Sequence, residues 1–187
     1  MATSAFDETT RDETVADAVA RELSASDLET RGTVTARALV VVVADDHLDS
    51  GGLGALVGEL LEEADFHVDA TVVVSGDEVE IRNALNTALI GGVDVVISVG
   101  GVGVRARDVT PEATEPLLDR RLPGIEEAVR SSGLAAGATD AGLSRGLAGI
   151  SGQTLVVNLA DSRAAVRDGM ATITLLAHHV IEDITEF

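Results

Sequence analysis

Three stretches of this chain are dominated by apolar residues: 38–44 (ALVVVVA), 94–99 (DVVISV) and 154–159 (TLVVNL). A strand with one wet face alternates apolar and polar side chains, so an unbroken β-branched run fits a strand covered on both faces, as in a parallel sheet. Between such runs the period changes. Leu53, Leu56, Val57, Leu60 and Leu61 recur at helical spacing after the first, and Val79, Ile81, Leu85 and Leu89 do so after a further strand at residues 67–74. Strands alternating with helices predict an α/β chain, a three-layer α/β/α arrangement around a mostly parallel sheet.

The turns are marked as well. Ser75 or Asp77 can cap a helix over about 77–89, and Gly91-Gly92 ends it. Thr110-Pro111-Glu112 reads as a hydroxyl cap, a proline at the first helical position and an acid in the first turn. A helix carrying Leu117 and Leu118 is expected to stop near Arg121-Leu122-Pro123-Gly124, with another over 125–132 and a Gly/Ala-rich loop over 133–142. Residues 143–150 and 154–159 flank Ser151-Gly152-Gln153 as a hairpin, and an amphipathic helix over about 162–184 closes the chain. His178 and His179 are adjacent, so on that helix they point apart. Residues 1–35 read as an acidic, largely flexible extension with a short helix possible over 12–23; residues 36–187 read as one domain.

Composition narrows the partners. Thirty-two acids against thirteen bases give a net charge of −19, and every base is arginine. Such a surface repels nucleic acid and anionic membranes. With three Phe and no Tyr or Trp, the chain also lacks a stacking platform for single strands. The acids are scattered, which suits a halophilic protein: at molar salt the Debye length shrinks to about 3 Å and their repulsion is screened. No cysteine is present, which excludes disulfides and thiolate chemistry. No basic-then-apolar leader and no apolar run near 18 residues is found, so a soluble cytoplasmic protein is expected.

The chemistry converges after the third strand. Gly100, Gly101 and Gly103 let the backbone approach a ligand, and Arg105 and Arg107 follow, an arrangement suited to phosphate; a tight strand-to-helix connection with solvated arginines accounts for the same residues. The turn matches neither GxxxxGK[ST] nor GxGxxG, which removes support for a P-loop ATPase or a dinucleotide site. Asp77 is accounted for by capping alone.

The string GGVGVRARDVTPEAT at 100–114 resembles the GGTGxxxRDVTPEAT signature of the MoaB/Mog proteins of molybdenum cofactor biosynthesis. Agreement continues through Leu118-Asp119-Arg120-Arg121-Leu122-Pro123-Gly124, Leu143-Ser144-Arg145, Ala148-Gly149 and residues 154–159, covering roughly 38–184. The resemblance implies a molybdopterin-binding fold, usually a homotrimer or hexamer. Active members use Mg²⁺ to transfer AMP from ATP to the terminal phosphate of molybdopterin. By position, Asp77 and Asp108 match the two acids associated with Mg²⁺ and catalysis, Gly100, Gly101 and Gly103 the phosphate-binding turn, and Ser144 a serine of the pterin pocket. Asp49, Ser50 and Gly51 fall where the family has an Asp-bearing loop ending in Ser-Gly, and Ser162 falls in the family's NLPGSP loop. Two positions depart: the threonine of GGTG is Val102, and NLPGSP reads Asn158-Leu159-Ala160-Asp161-Ser162-Arg163, which adds an acid and, beside it, a compensating arginine. The resemblance therefore leaves three readings: an adenylyltransferase, a non-catalytic molybdopterin-binding paralogue acting as a binding or interaction protein, or a domain kept mainly as an oligomeric interaction protein.

Overall fold

The computed structural model describes residues 35–44 and 50–185. Six strands form one sheet: β1 (Ala36–Ala44), β2 (Phe66–Ser75), β3 (Val95–Val99), β4 (Arg120–Arg121), β5 (Ala148–Ser151) and β6 (Thr154–Leu159). Their order is β2-β1-β3-β6-β5-β4. The first four in that order pair in parallel, and β5 and β4 add on antiparallel. Among the described residues, α1 (Ser50–Glu62), α2 (Glu78–Ile90), α3 (Thr110–Thr114) and α4 (Pro123–Ala135) lie between strands, and α5 (Arg163–Thr185) follows β6.

Burial explains the unbroken apolar runs, because alternate residues of each central strand feed different cores. Val40 and Val42 of β1, Ile97 and Val99 of β3, and Leu155 and Val157 of β6 join Leu53, Val57, Val166, Met170 and Ile173 on the α1 and α5 side. Val41 and Val43, with Val96 and Val156, join Ile81, Leu85 and Ala88 of α2 on the other. Each such aliphatic contributes about 1.5–3 kcal/mol on burial. The three-layer expectation holds, and residues 35–187 make one compact unit. Residues 1–34, and with them the short helix expected over 12–23, lie outside the described residues.

Three expectations need correction. The helix carrying Leu117 and Leu118 is only Thr110–Thr114, followed by a 3-10 turn over Glu115–Leu117 and the two-residue strand β4. Pro116 has no N–H to continue the helix and its ring crowds the preceding turn. The first hairpin strand is Ala148–Ser151, because residues 144–146 bond away from the ladder, with Arg145 N–H donating to the Val102 carbonyl, although the Leu147 carbonyl still accepts from Asn158 N–H. Thr110 is not a cap: it is the first helical residue, Val109 precedes it, and no side chain caps the helix. Its hydroxyl instead donates to the Gly100 carbonyl at 2.8 Å.

No helix among the described residues is long and apolar enough to cross a membrane.

Candidate functional site

The chain leaves β1 to one side to form β2 and returns on the other side as β3, so the strand order reverses between β1 and β3. A crevice at the carboxyl ends of the strands is expected at such a reversal. A cavity of about 340 Å³ lies there, lined by Val43 and Ala44 of β1, Ser75, Gly76 and Asp77 after β2, and Gly101, Arg105, Arg107 and Asp108 after β3, with Asp161 after β6. A second lobe of about 310 Å³ shares Gly101, Arg105, Asp108 and Asp161 and adds Val102, Gly103, Ser144 and Ala160.

Backbone geometry accounts for the glycine pair. Gly100 has φ 103°, and a Cβ there would stand 2.7 Å from the Val43 carbonyl oxygen. Gly101 has φ 64°, and a Cβ there would collide with the Thr110 hydroxyl. Only glycine meets both demands. The turn is stitched to α3 by Thr110 N–H donating to the Gly101 carbonyl at 3.0 Å and by the hydroxyl bond to Gly100.

Asp77 caps α2. Its Oδ1 accepts from Val79 N–H at 2.9 Å and Glu80 N–H at 3.1 Å, so both capping bonds fall on one oxygen of a side chain that also lines the first lobe. Asp108 Oδ2 accepts from Arg105 N–H at 2.8 Å, closing the loop on itself. The two acids belong to neighbouring backbones: a Cβ on Gly76 would stand 3.8 Å from the Arg107 carbonyl oxygen. Asp77 and Asp108, well separated in sequence, therefore line one lobe.

Of the other residues singled out in the sequence, Gly101, Gly103 and Ser144 line the cavity. Gly100 forms the turn beneath it. Ser162 caps α5, its Oγ accepting from Ala165 N–H at 3.1 Å, and is not among the lining residues; Asp161 and Ala160 from the same loop are. Ser50 and Gly51 open α1 and are not among the described lining residues, and Asp49 lies outside the described residues. Val102 is 4% exposed, so its side chain is largely packed even though the residue lines the second lobe.

A sequence model described as a probable molybdopterin binding domain matches residues 40–179. A molybdenum cofactor biosynthesis protein B from Bacillus cereus is 35% identical over 154 residues, covering 78% of this chain and 89% of the relative. The chain belongs to the MoaB/Mog family. The solved molybdopterin biosynthesis protein of Mycobacterium abscessus superposes with a TM-score of 0.77 at 65% identity, covering 81% of this chain and 97% of that one. The Drosophila melanogaster protein cinnamon, described as a molybdenum cofactor synthesis protein, is 40% identical over 92 residues, and the match spans only 14% of its length. The MoaB/Mog fold and this chain's place in molybdenum cofactor biosynthesis thus rest on near-full-length relatives.

Two residues of this MoaB/Mog domain were not legible as site residues beforehand. Asn158 is 3% exposed; its Nδ2 donates to Ser98 Oγ at 2.7 Å and Thr114 Oγ1 at 3.1 Å, and its Oδ1 accepts from Leu147 N–H at 3.1 Å. It ties β3, β6, α3 and the segment after Ser144 together under the cavity. An asparagine inside an otherwise apolar strand was the available signal, since a buried amide requires partners. The second is Arg145, bound to the glycine turn and paired with Glu112. The hydrogen-bonded guanidinium holds the Glu112 carboxyl below the usual range, and Glu112 in turn raises Arg145.

Proposed function

We propose that this protein transfers AMP from ATP to the terminal phosphate of molybdopterin with Mg²⁺. The observation that carries the reading is that Asp77 and Asp108 line one lobe while Ser144 lines a second, and that Gly101, Arg105 and Asp108 are common to both. Two reactants bound in adjoining lobes meet at the shared wall. Held there, a phosphate oxygen of the pterin attacks the α-phosphorus of ATP; the new P–O bond forms as the bond to the β-phosphate oxygen breaks, releasing pyrophosphate. Positioning of this kind removes much of the barrier without covalent participation by the protein.

The donor set suits Mg²⁺ arriving with the nucleotide. Among the described residues no three metal-ligating side chains converge, and Mg²⁺ commonly binds through one or two carboxylates with phosphate oxygens and waters completing its octahedron. Bound there, it would neutralise triphosphate charge. Asp77 and Asp108 would hold it, and Arg105 and Arg107 add positive charge to the same lobe.

The test is direct. Purified protein with Mg²⁺, ATP and molybdopterin in molar KCl, where we propose its acidic surface is screened, should release pyrophosphate and form adenylylated pterin. Failure in both molar and dilute salt would remove the enzymatic reading. Pterin binding without turnover would select the non-catalytic paralogue, which the acid at Asp161 in both lobes favours.

Asp161 gives a further expectation. A carboxylate on the shared wall repels phosphates, and two unit charges 4 Å apart in water interact by about 1 kcal/mol. Asp161→Gly should therefore tighten ATP binding roughly fivefold by calorimetry, scaled from that figure. Unchanged affinity would mean that a nearby cation such as Arg163 already offsets it.

A further inference from the structure

Arg145 lies in the segment between the 3-10 turn over Thr139–Leu143 and β5, and it is not among the residues lining either lobe. Its bonds nevertheless converge on the glycine-rich loop. Its backbone N–H donates to the Val102 carbonyl at 2.7 Å. Its Nε donates to the Gly103 carbonyl at 2.7 Å, one Nη donates to the Asp108 carbonyl, and both Nη atoms reach the Glu112 carboxylate of α3. One planar fork thus grips the loop at its start and its end while an acid on the next helix anchors the fork. Three acceptors on a rigid plane suit a guanidinium and exceed what a lysine ammonium can satisfy in the same geometry.

The loop that Arg145 clasps is also closed from inside, by Arg105 N–H on Asp108 Oδ2. Carbonyls of Gly103 and Asp108 left without their donor would relax toward water, and the Asp108 carboxylate would move with its backbone. Because Ser144 precedes Arg145, the bond to Val102 also sets the Ser144 wall of the second lobe against the glycine wall.

We propose that Arg145 is a positioning residue: it acts through Gly103 and Asp108 to hold the loop in the shape that presents Asp108 to the shared wall of the two lobes. The catalytic part of this inference rests on the adenylyl-transfer reading; the structural part does not.

Arg145→Lys, Arg145→Ala and Glu112→Gln test it by two readouts. In hydrogen–deuterium exchange, the peptide covering 102–108 should exchange at least about tenfold faster in both Arg145 variants, as expected for locally opened backbone. Glu112→Gln should show a smaller effect because it keeps the carbonyl bonds. Thermal midpoints should change little, since the Arg145 and Glu112 side chains are 40% and 45% exposed. In turnover, kcat should fall about 10²-fold, the cost of an ångström-scale misplacement, with KM for ATP nearly unchanged. Lysine should not rescue it. Unchanged exchange in 102–108 overturns the inference whatever the turnover shows, and faster exchange with wild-type kcat overturns its catalytic part. Faster exchange in a protein whose wild type has no turnover keeps the clasp and removes the adenylyl-transfer reading.

Discussion

Asp77→Asn is expected to leave the protein as stable as before while lowering adenylyl transfer by about 10²–10³-fold, the range for removing one electrostatic contributor to a transition state. Asp77 has two tasks that this substitution separates. Its Oδ1 caps α2 through Val79 and Glu80, and asparagine caps helices about as well as aspartate. Only the negative charge facing the first lobe is lost. Asp77→Ala removes both, so it should cost an additional ~1 kcal/mol of stability, or roughly 2–4 °C in thermal midpoint for a chain of this size. Melting curves and turnover of the two variants together decide the matter. If Asp77→Asn turns over at the wild-type rate, Asp77 is a cap and nothing more, and the two-acid account of Mg²⁺ fails.

The largest stability effect should come from Glu126, far from any chemistry. Its side chain is 5% exposed. Arg121 Nη2 donates to both carboxylate oxygens at 3.0 Å, Ala148 N–H donates to Oε1 at 3.2 Å, and Arg130 lies 3.6 Å from Oε2. The carboxylate thereby joins α4, β4 and β5 at the antiparallel end of the sheet. Breaking a buried ion pair by deleting one partner costs about 3–5 kcal/mol. Arg121 and Arg130 are partly exposed and can rehydrate, so Glu126→Ala is placed near the low end, about 3 kcal/mol, or roughly 6–12 °C. Glu126→Gln keeps an acceptor for Ala148 N–H and should lose less. A Glu126→Ala midpoint within 2 °C of wild type, by the ~2–4 °C per kcal/mol scale, would cap the contribution of the pair at about 1 kcal/mol and overturn this expectation.

These two residues also mark what could be read from the chain. The central strands were legible because Val40 to Val43 and Val95 to Val99 show no polar face, and the glycine turn because Gly100 and Gly101 stand directly after such a strand. Asp77 was legible as a cap from its local neighbours. Glu126, Asn158 and Arg145 were not, because their roles depend on atoms brought together from distant parts of the chain: Ala148 for the first, Ser98 for the second, Gly103 for the third. Local spacing carries no record of such meetings. The helix starting at Thr110 is shorter than Leu117 and Leu118 suggest for a local reason, since Pro116 cannot continue it.

The crevice draws its walls from five separate stretches, at 43–44, 75–77, 101–108, 140–144 and 160–161. No fragment of the polypeptide carries more than part of it, and long-range closures of this kind form only when the whole sheet is assembled. On the adenylyl-transfer reading, turnover and integrity of the tertiary structure are therefore bound together. A denaturant series should lose both at the same midpoint, which makes the rate of product formation a sensitive gauge of how much intact protein a sample contains.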